Sequence, residues 1–340
     1  MSESNRRFLL RERPRERIGA ETFQLVTEPL PEIGEGEALV RVEWISLDPT
    51  NRTWLNESPT YVPPVGIGEV MRGGGLGRVV RSKHPRHPEG QLVAGLLGWQ
   101  EWAVISDATM LWTVPDVPGV PLSAHLGVLG TTGLTAWVGM TDIDRPQPNE
   151  TVVVSAAAGA VGSVAGQIAK LRGPRVVGIA GGPEKCALLT DRLHFEAAVD
   201  HRAADWRDQL AAATPDGVDV DFENVGGEIM DAVFGRLNLR ARVVLCGLIS
   251  GYNAAEVPRG PSNFAALLIR RVLLQGLGFV VLDHLDRASE AGAELAGWMT
   301  GGQLQALETV VEGFEQLPIA INMLFDGTNV GKLVVRLVHD

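Results

Sequence analysis

The sequence predicts a two-domain α/β protein, a doubly wound parallel sheet joined to a β-rich domain. Three observations carry this. Strand and helix patterns alternate from about Leu126 to Gly301. Residues up to about Ser123 hold short strand-like runs broken by proline and glycine instead. At 340 residues the chain is too long for one compact core and comfortable for two.

In the first region, Ala38-Leu39-Val40-Arg41-Val42 reads as a strand, while Pro29, Pro31, Pro63-Pro64 and Gly73-Gly74-Gly75 break the pattern. An irregular, barrel-like β domain is expected. Farther on, strands are expected over 151–155, 175–180, 219–223, 241–247 and 272–280. Helices fit over 162–172, 184–192, 226–237 and 288–300. Such alternation implies parallel strands with helices on both faces. The tail, Gly331 to Leu337, is one strand after a loop with no helix following. It is expected to return to the first domain. That domain would comprise residues 1–125 and 311–340, with 126–310 inserted as the second.

The most informative segment is Thr151 to Gly162. The β-branched run Val152-Val153-Val154 reads as a buried strand. A small-residue turn, Ala157-Ala158-Gly159-Ala160-Val161-Gly162, leads into a helix with Val161, Val164, Ala165 and Ile168 on one face and Gly173 as its stop. Strand, glycine turn and helix together hold a dinucleotide pyrophosphate, because backbone approaches the phosphates and the helix start offers unpaired N–H groups. Against G-x-G-x-x-G, Ala157 stands in the first place, with Gly159 and Gly162 in the second and third. Ala/Gly-rich turns also occur at plain strand–helix junctions, so the next strand decides more.

That strand, Arg175 to Ala180, ends in Gly181-Gly182 rather than in the acidic residue that accepts from an NAD ribose. Lys185 follows and supplies a cation for a 2′-phosphate, which points to NADP(H). A solvated lysine on the next helix is the competing reading, and Glu184 opposes phosphate if its side chain turns inward.

Composition narrows the classes. A net charge of −11 argues against a nucleic-acid surface. No apolar run reaches membrane-spanning length, and Met1 to Pro14 lacks a signal-peptide core. Cys186 and Cys246 are the only cysteines, which makes neither a disulfide framework nor a zinc cluster; a reducing cytoplasm is the expectation.

Segments in order and spacing carry a resemblance over nearly the whole length. They are Asn5-Arg6-Arg7, Ser46-Leu47-Asp48-Pro49, Gly68 to Gly75, Gly98-Trp99-Gln100-Glu101 and Leu129 to Ala136, then Val154 to Ser163, Gly181 to Cys186, Glu223 to Gly227, Cys246 to Asn253 and Asn329 to Lys332. The chain resembles the zinc-independent medium-chain dehydrogenases/reductases, in the group of leukotriene B4 12-hydroxydehydrogenase (prostaglandin reductase), alkenal double-bond reductases and curcumin reductase. The resemblance implies a GroES-like catalytic domain, a Rossmann domain, NADP(H) as cofactor, a homodimer, and reduction of the carbon–carbon double bond of a small-molecule enone or enal. By the same resemblance Gly159, Ala160, Val161 and Gly162 would hold the pyrophosphate and Lys185 the 2′-phosphate. Asn224, the loop Cys246, Gly247, Leu248, Ile249, Ser250 and Tyr252, the segment Phe279, Val280 and Val281, and Asn329 would line the rest of the cofactor. Family members carry Tyr near His201, so His201 or Arg202 is expected to take over that phosphate contact, or the cofactor preference blurs. In the family, the region of Arg270-Arg271 and Val272-Leu273-Leu274 pairs edge to edge across a dimer.

Residues 1–185 contain no cysteine, and Ser46-Leu47-Asp48-Pro49-Thr50 stands where a zinc-dependent relative has its first ligand. His84 and His87, in a proline-rich turn, are expected as surface loop residues rather than ligands. Reduction of a conjugated alkene needs no metal. Tyr252, one of two tyrosines, follows a strand at its C-terminal end and is the candidate for stabilising the enolate or delivering the proton, with a ribose-binding role as the alternative. Tyr61 is expected either to reach the substrate cleft or to anchor its loop. Trp54 and Trp99 are expected in loops walling an apolar pocket, although a single Trp is more often core. Cys246 is expected as a buried thiol or a backbone contact to cofactor rather than a catalytic thiol. A quinone reductase using the same hydride donor, and a catalytically silent nucleotide-binding protein, remain as alternatives.

Overall fold

The structure, a computed structural model, describes residues 4–57, 62–115, 117–255, 260–276 and 279–338, the side chains of 279–281 excepted. The chain divides into two compact units. The first comprises Met1–Leu126, Thr309–Thr328 and Leu333–Asp340; the second comprises Gly127–Glu308 and Asn329–Lys332.

In the first unit the strand Ala38–Leu47 is central. Its antiparallel partners are Gly75–Ser82, Trp102–Ile105 and the tail strand Lys332–Arg336. Leu39, Val40, Val42, Ile45 and Leu47 are buried along it, since both faces of a barrel-like sheet's central strand are covered. An aromatic cluster packs nearby: Phe8 stacks on Phe314 with ring centroids 5.0 Å apart, and Phe23 lies 5.0 Å from Trp99. Trp99 is 0 % exposed and Trp54 is 3 % exposed. Both are core residues, which corrects the expectation that they wall an open pocket: aromatic neighbours cover Trp99, and the Arg72 guanidinium lies 5.5 Å from the Trp54 ring. His84 is likewise buried rather than a solvated loop residue. Its Nδ1 accepts from the Arg86 N–H at 3.0 Å, which leaves Nε2–H to donate to Asp107 at 2.8 Å. Tyr61 lies outside the described residues.

The second unit is an α/β sheet with six strands: β1 (Thr151–Val154), β2 (Arg175–Ala180), β3 (Ala197–Asp200), β4 (Val218–Glu223), β5 (Leu237–Leu245) and β6 (Leu273–Gly276). Their spatial order is β3-β2-β1-β4-β5-β6, all parallel. That is the dinucleotide-binding order, with its reversal between β1 and β4. The helices are α1 (Thr131–Val138), α2 (Ala160–Leu171), α3 (Pro183–Ala187), α4 (Trp206–Ala213), α5 (Gly227–Phe234), α6 (Ala265–Arg270) and α7 (Ala288–Thr300). Val152, Val153 and Val154 are fully buried, as a central parallel strand requires. The strand expected over 272–280 is shorter: β6 ends at Gly276, and Phe279–Arg287 is a 3-10 helical stretch. Among the described residues no helix is long and apolar enough to cross a membrane.

Of the buried carboxyl groups Asp144, Asp221 and Glu223 in this unit, the first two are not hydrogen-bonded to any described residue. Asp221 of β4 and Asp144 are 0 % and 1 % exposed. Burial pushes both well above the usual carboxylate range; Glu223 and Asp144 push Asp221 further, while Arg242 pulls Asp144 down. A raised folded value means that stability is full at acid pH, below the unfolded value, and is lost as pH rises through the folded one. Asp221→Asn, which cannot ionise, should therefore melt above the wild type at pH 8, with the two curves converging toward pH 4. About 2–4 °C is expected for each ~1 kcal/mol recovered in a unit of this size. Melting temperatures at pH 4 to 9 check this; a constant offset would refute it.

Candidate active site

The site grows from the C-terminal ends of β1, β2, β4 and β5, where a doubly wound sheet opens a crevice at its reversal point. After β1 the chain turns through Ala156, whose φ of +47° is left-handed although no glycine stands there. L side chains pay about 1–2 kcal/mol for that conformation, and neighbouring bonds hold it: the Ala157 N–H donates to the Ile179 carbonyl at 3.0 Å and the Gly159 N–H to that of Ala156 at 2.8 Å. Gly159 is the N-cap of α2 and offers no side chain to the first-turn N–H groups. Those groups face the crevice as an anion site. A Cβ on Gly162 would lie 2.4 Å from the Ala156 carbonyl oxygen, so the close approach of helix and turn requires glycine there. Gly331 N–H donates to the Ala158 carbonyl at 2.7 Å, and the Asn329 side-chain amide donates to the Gly331 carbonyl at 3.0 Å. Asn329 thus braces a segment against the turn.

At the end of β2, three basic side chains meet. A Cβ on Gly181 would lie 2.9 Å from both His201 Nε2 and Arg202 Nε. Lys185, on α3, is half-buried; burial and then the Arg202 charge lower its pKa from the usual lysine value. Burial, Arg202 and Lys185 lower His201 below the usual histidine range, against the opposing pull of Asp200. Asp200 itself is turned to the backbone, accepting from the N–H groups of Gly182 at 2.7 Å and Arg202 at 3.0 Å. Glu184 is exposed. The arrangement is a cationic recess lined by backbone, suited to a phosphate.

At the reversal point, Ser155 Oγ donates to Glu223 Oε1 at 2.8 Å and accepts from the Asn224 N–H at 2.7 Å. The Asn224 side-chain amide donates to the Ser155 carbonyl at 2.7 Å. Glu223 Oε1 also accepts from the N–H groups of Val225 and Gly226, and the Glu223 carbonyl accepts from those of Cys246 at 2.8 Å and Gly247 at 3.1 Å. Ile249 N–H reaches the Asn224 carbonyl and Ser250 N–H that of Val225, so the loop from Cys246 to Tyr252 is tied to the end of β4. The structure brings Asn224, Cys246, Gly247, Leu248, Ile249, Ser250 and Tyr252 together. Sequence reasoning did not single out Ser155 and Glu223 as site residues. The available signal was a carboxylate at a predicted strand end, followed three residues on by a glycine pair.

The Tyr252 hydroxyl accepts from the Leu248 N–H at 3.2 Å, and burial raises its pKa above that of an ordinary phenol. It stays protonated at neutral pH with its own hydrogen to donate. Burial, then the Glu223 charge, pushes the Cys246 thiol up to about 12. Phe279, Val280 and Val281 lie at the start of the 3-10 stretch, but their side chains are outside the described set. Among the described residues no group of three or more His, Cys, Asp or Glu is arranged to hold a metal ion.

Comparison with known proteins follows this geometry. A family model described as the N-terminal domain of oxidoreductase matches residues 6–114, and one described as zinc-binding dehydrogenase matches residues 160–291. The chain is 43% identical over 340 residues to the NADPH-dependent curcumin reductase of Escherichia coli (strain K12), covering 99% of this chain and 98% of that protein. It is 40% identical over 319 residues to prostaglandin reductase 1 of Mus musculus, covering 92% and 93%. The crystal structure of CurA in complex with NADPH from Vibrio vulnificus matches with a TM-score of 0.92 and 42% identity, over 98% of this chain and 100% of that one.

The Cys246 thiol should resist alkylation. With a pKa of about 12, on the order of one molecule in 10⁴ is thiolate at pH 8. Iodoacetamide followed by peptide mass mapping should find Cys246 unmodified in the folded protein and modified after denaturation. Rapid native labelling would contradict the raised pKa.

Proposed function

The chain belongs to the zinc-independent medium-chain dehydrogenases/reductases, and from that premise we propose that it reduces the carbon–carbon double bond of α,β-unsaturated ketones and aldehydes with NADPH, without a metal. The observation that carries the cofactor choice is the meeting of His201 and Arg202 over Gly181, with the Lys185 charge felt by His201 and Asp200 turned to the backbone. A 2′-phosphate is attracted there, and β2 runs into Gly181-Gly182 rather than into the carboxylate that accepts from an unphosphorylated ribose. The substrate class is supported by the names of the relatives, a curcumin reductase and a prostaglandin reductase.

The residues present fit the dinucleotide. The open N-terminus of α2 and the bare backbone at Gly162 would hold the pyrophosphate, and Lys185, with His201 and Arg202, the 2′-phosphate. When bound, NADPH supplies the hydride, which goes to the substrate's β-carbon. The protein's part is to orient the conjugated carbonyl and stabilise the negative charge that develops on its oxygen. Tyr252 has the chemistry for this: a half-buried phenol, held by the Leu248 N–H through one lone pair, keeps its hydrogen for an enolate oxygen or for proton delivery to the α-carbon. Glu223 and Ser155 act as positioning residues by fixing the loop that carries Tyr252.

The remaining features are assigned in the same way. Two far-apart free cysteines support a reducing, cytoplasmic setting. The edge strand β6, with Leu273 exposed beside exposed Leu268 and Ile269 of α6, supports a homodimer formed by a second copy at that edge.

NADPH oxidation against a panel of enals, enones and quinones, with product analysis, tests the activity. A saturated carbonyl product is expected; hydroquinone formation with inert enones would transfer the assignment to a quinone reductase. Tyr252→Phe should lower kcat by about 10²-fold, the lower end of what a positioned acid contributes, while NADPH binding changes little; wild-type turnover in that variant removes Tyr252 from the chemistry. Light scattering should give twice the chain mass for the wild type and shift toward the monomer in Leu273→Lys. A monomeric wild type refutes the dimer.

A further inference from the structure

The basic recess at the end of β2 contains a group whose charge is set by its surroundings. His201 Nε2 and Arg202 Nε converge over Gly181, each 2.9 Å from where a Cβ would stand. The charged groups facing His201 are Arg202 beside it, Lys185 from α3 and Asp200 from β3. Asp200 is committed to two backbone N–H groups, so its attraction for the imidazole is shared. Half-burial, Arg202 and Lys185 all favour the neutral ring, and its pKa lies below the usual histidine value.

We infer that His201 is a specificity-determining residue that takes up a proton when a 2′-phosphorylated adenosine ribose enters the recess. This rests on the NADPH reading above and adds a regulation to it: preference for the phosphorylated nucleotide strengthens as pH falls toward neutrality. A phosphate dianion reverses the balance around the ring. It screens the two neighbouring cations and offers acceptor oxygens, which favours an imidazolium with two N–H donors. A ligand that raises a group's proton affinity must itself bind more tightly when that group is protonated. The second ionisation of the phosphate, near pH 6, sets the lower end of the window.

The full chain is titrated with adenosine 2′,5′-bisphosphate and, as the matched probe without a 2′-phosphate, with 5′-AMP. Calorimetry in two buffers of different ionisation enthalpy counts the protons exchanged. Between pH 8.5 and 6.5 the bisphosphate should gain about tenfold in affinity relative to 5′-AMP, the scale of one charge-assisted hydrogen bond, with net proton uptake near pH 7. His201→Gln keeps a donor but cannot titrate; there the ratio should stay flat and the uptake vanish. The His201 ring resonance, identified by its loss in that variant, should titrate at higher pH with bisphosphate bound than with 5′-AMP bound. Preference for the bisphosphate without proton uptake, or uptake that persists in His201→Gln, overturns this inference and leaves the NADPH reading standing. Equal binding of both probes at every pH overturns the NADPH reading itself.

Discussion

The hydrogen-bonded polar groups at the C-terminal ends of this parallel sheet meet at Glu223. Its carboxylate accepts from Ser155 at the end of β1 and from the turn that starts α5. Its backbone carbonyl accepts from the first two residues of the loop after β5. Three chain segments far apart in sequence are thereby held in one geometry. Burial pushes the carboxyl above the usual range, and the hydrogen bonds from Gly226, Val225 and Ser155 offset part of that rise. Neither Asn224 nor Tyr252 would keep its place without this anchor, because both belong to segments that otherwise touch solvent.

The opposite rim uses electrostatics in the reverse sense. Lys185 and His201 are partly desolvated and lie near the charge of the exposed Arg202, and both have lowered pKa values. An anion placed among them would be attracted by all three, which is the electrostatic basis for proposing a phosphate there. Asp200 shows how the chain avoids neutralising the recess: the one acidic side chain close by spends its oxygen on the Gly182 and Arg202 N–H groups and fixes the loop instead.

How far this was legible in the sequence depended on the range of the interaction. Val152 to Val154 and the glycine turn announce themselves locally, because a fully buried strand must be continuously apolar and a helix that approaches a turn closely needs Gly162. Strand β3 did not: Ala197-Ala198-Val199-Asp200 is short, small and capped by a charge, and only its pairing with β2 makes it a strand. The run expected over 272–280 stops at Gly276, where a propensity argument carried the strand too far. Trp99 and His84 looked like loop residues since no periodicity marks them; their burial comes from chain returning over them. The Ser155–Glu223 bond joins residues 68 apart and depends on the parallel register of β1 and β4, which no local pattern encodes.

Position and protonation together single out Tyr252 among the groups at the reversal point. Cys246 is held as an inert thiol by burial and by the Glu223 charge, and the Glu223 oxygen that faces the turn is already committed to three donors. Asn224 gives its amide to the Ser155 carbonyl. Tyr252 alone in this set couples a raised pKa, which keeps the proton on at neutral pH, to a hydrogen bond that it accepts rather than donates. The Leu248 N–H pins the oxygen, and by withdrawing electron density it makes the remaining O–H a better donor. A donor fixed in advance costs no reorganisation when charge appears on a substrate oxygen, and that is the condition under which a phenol stabilises an enolate more than water would.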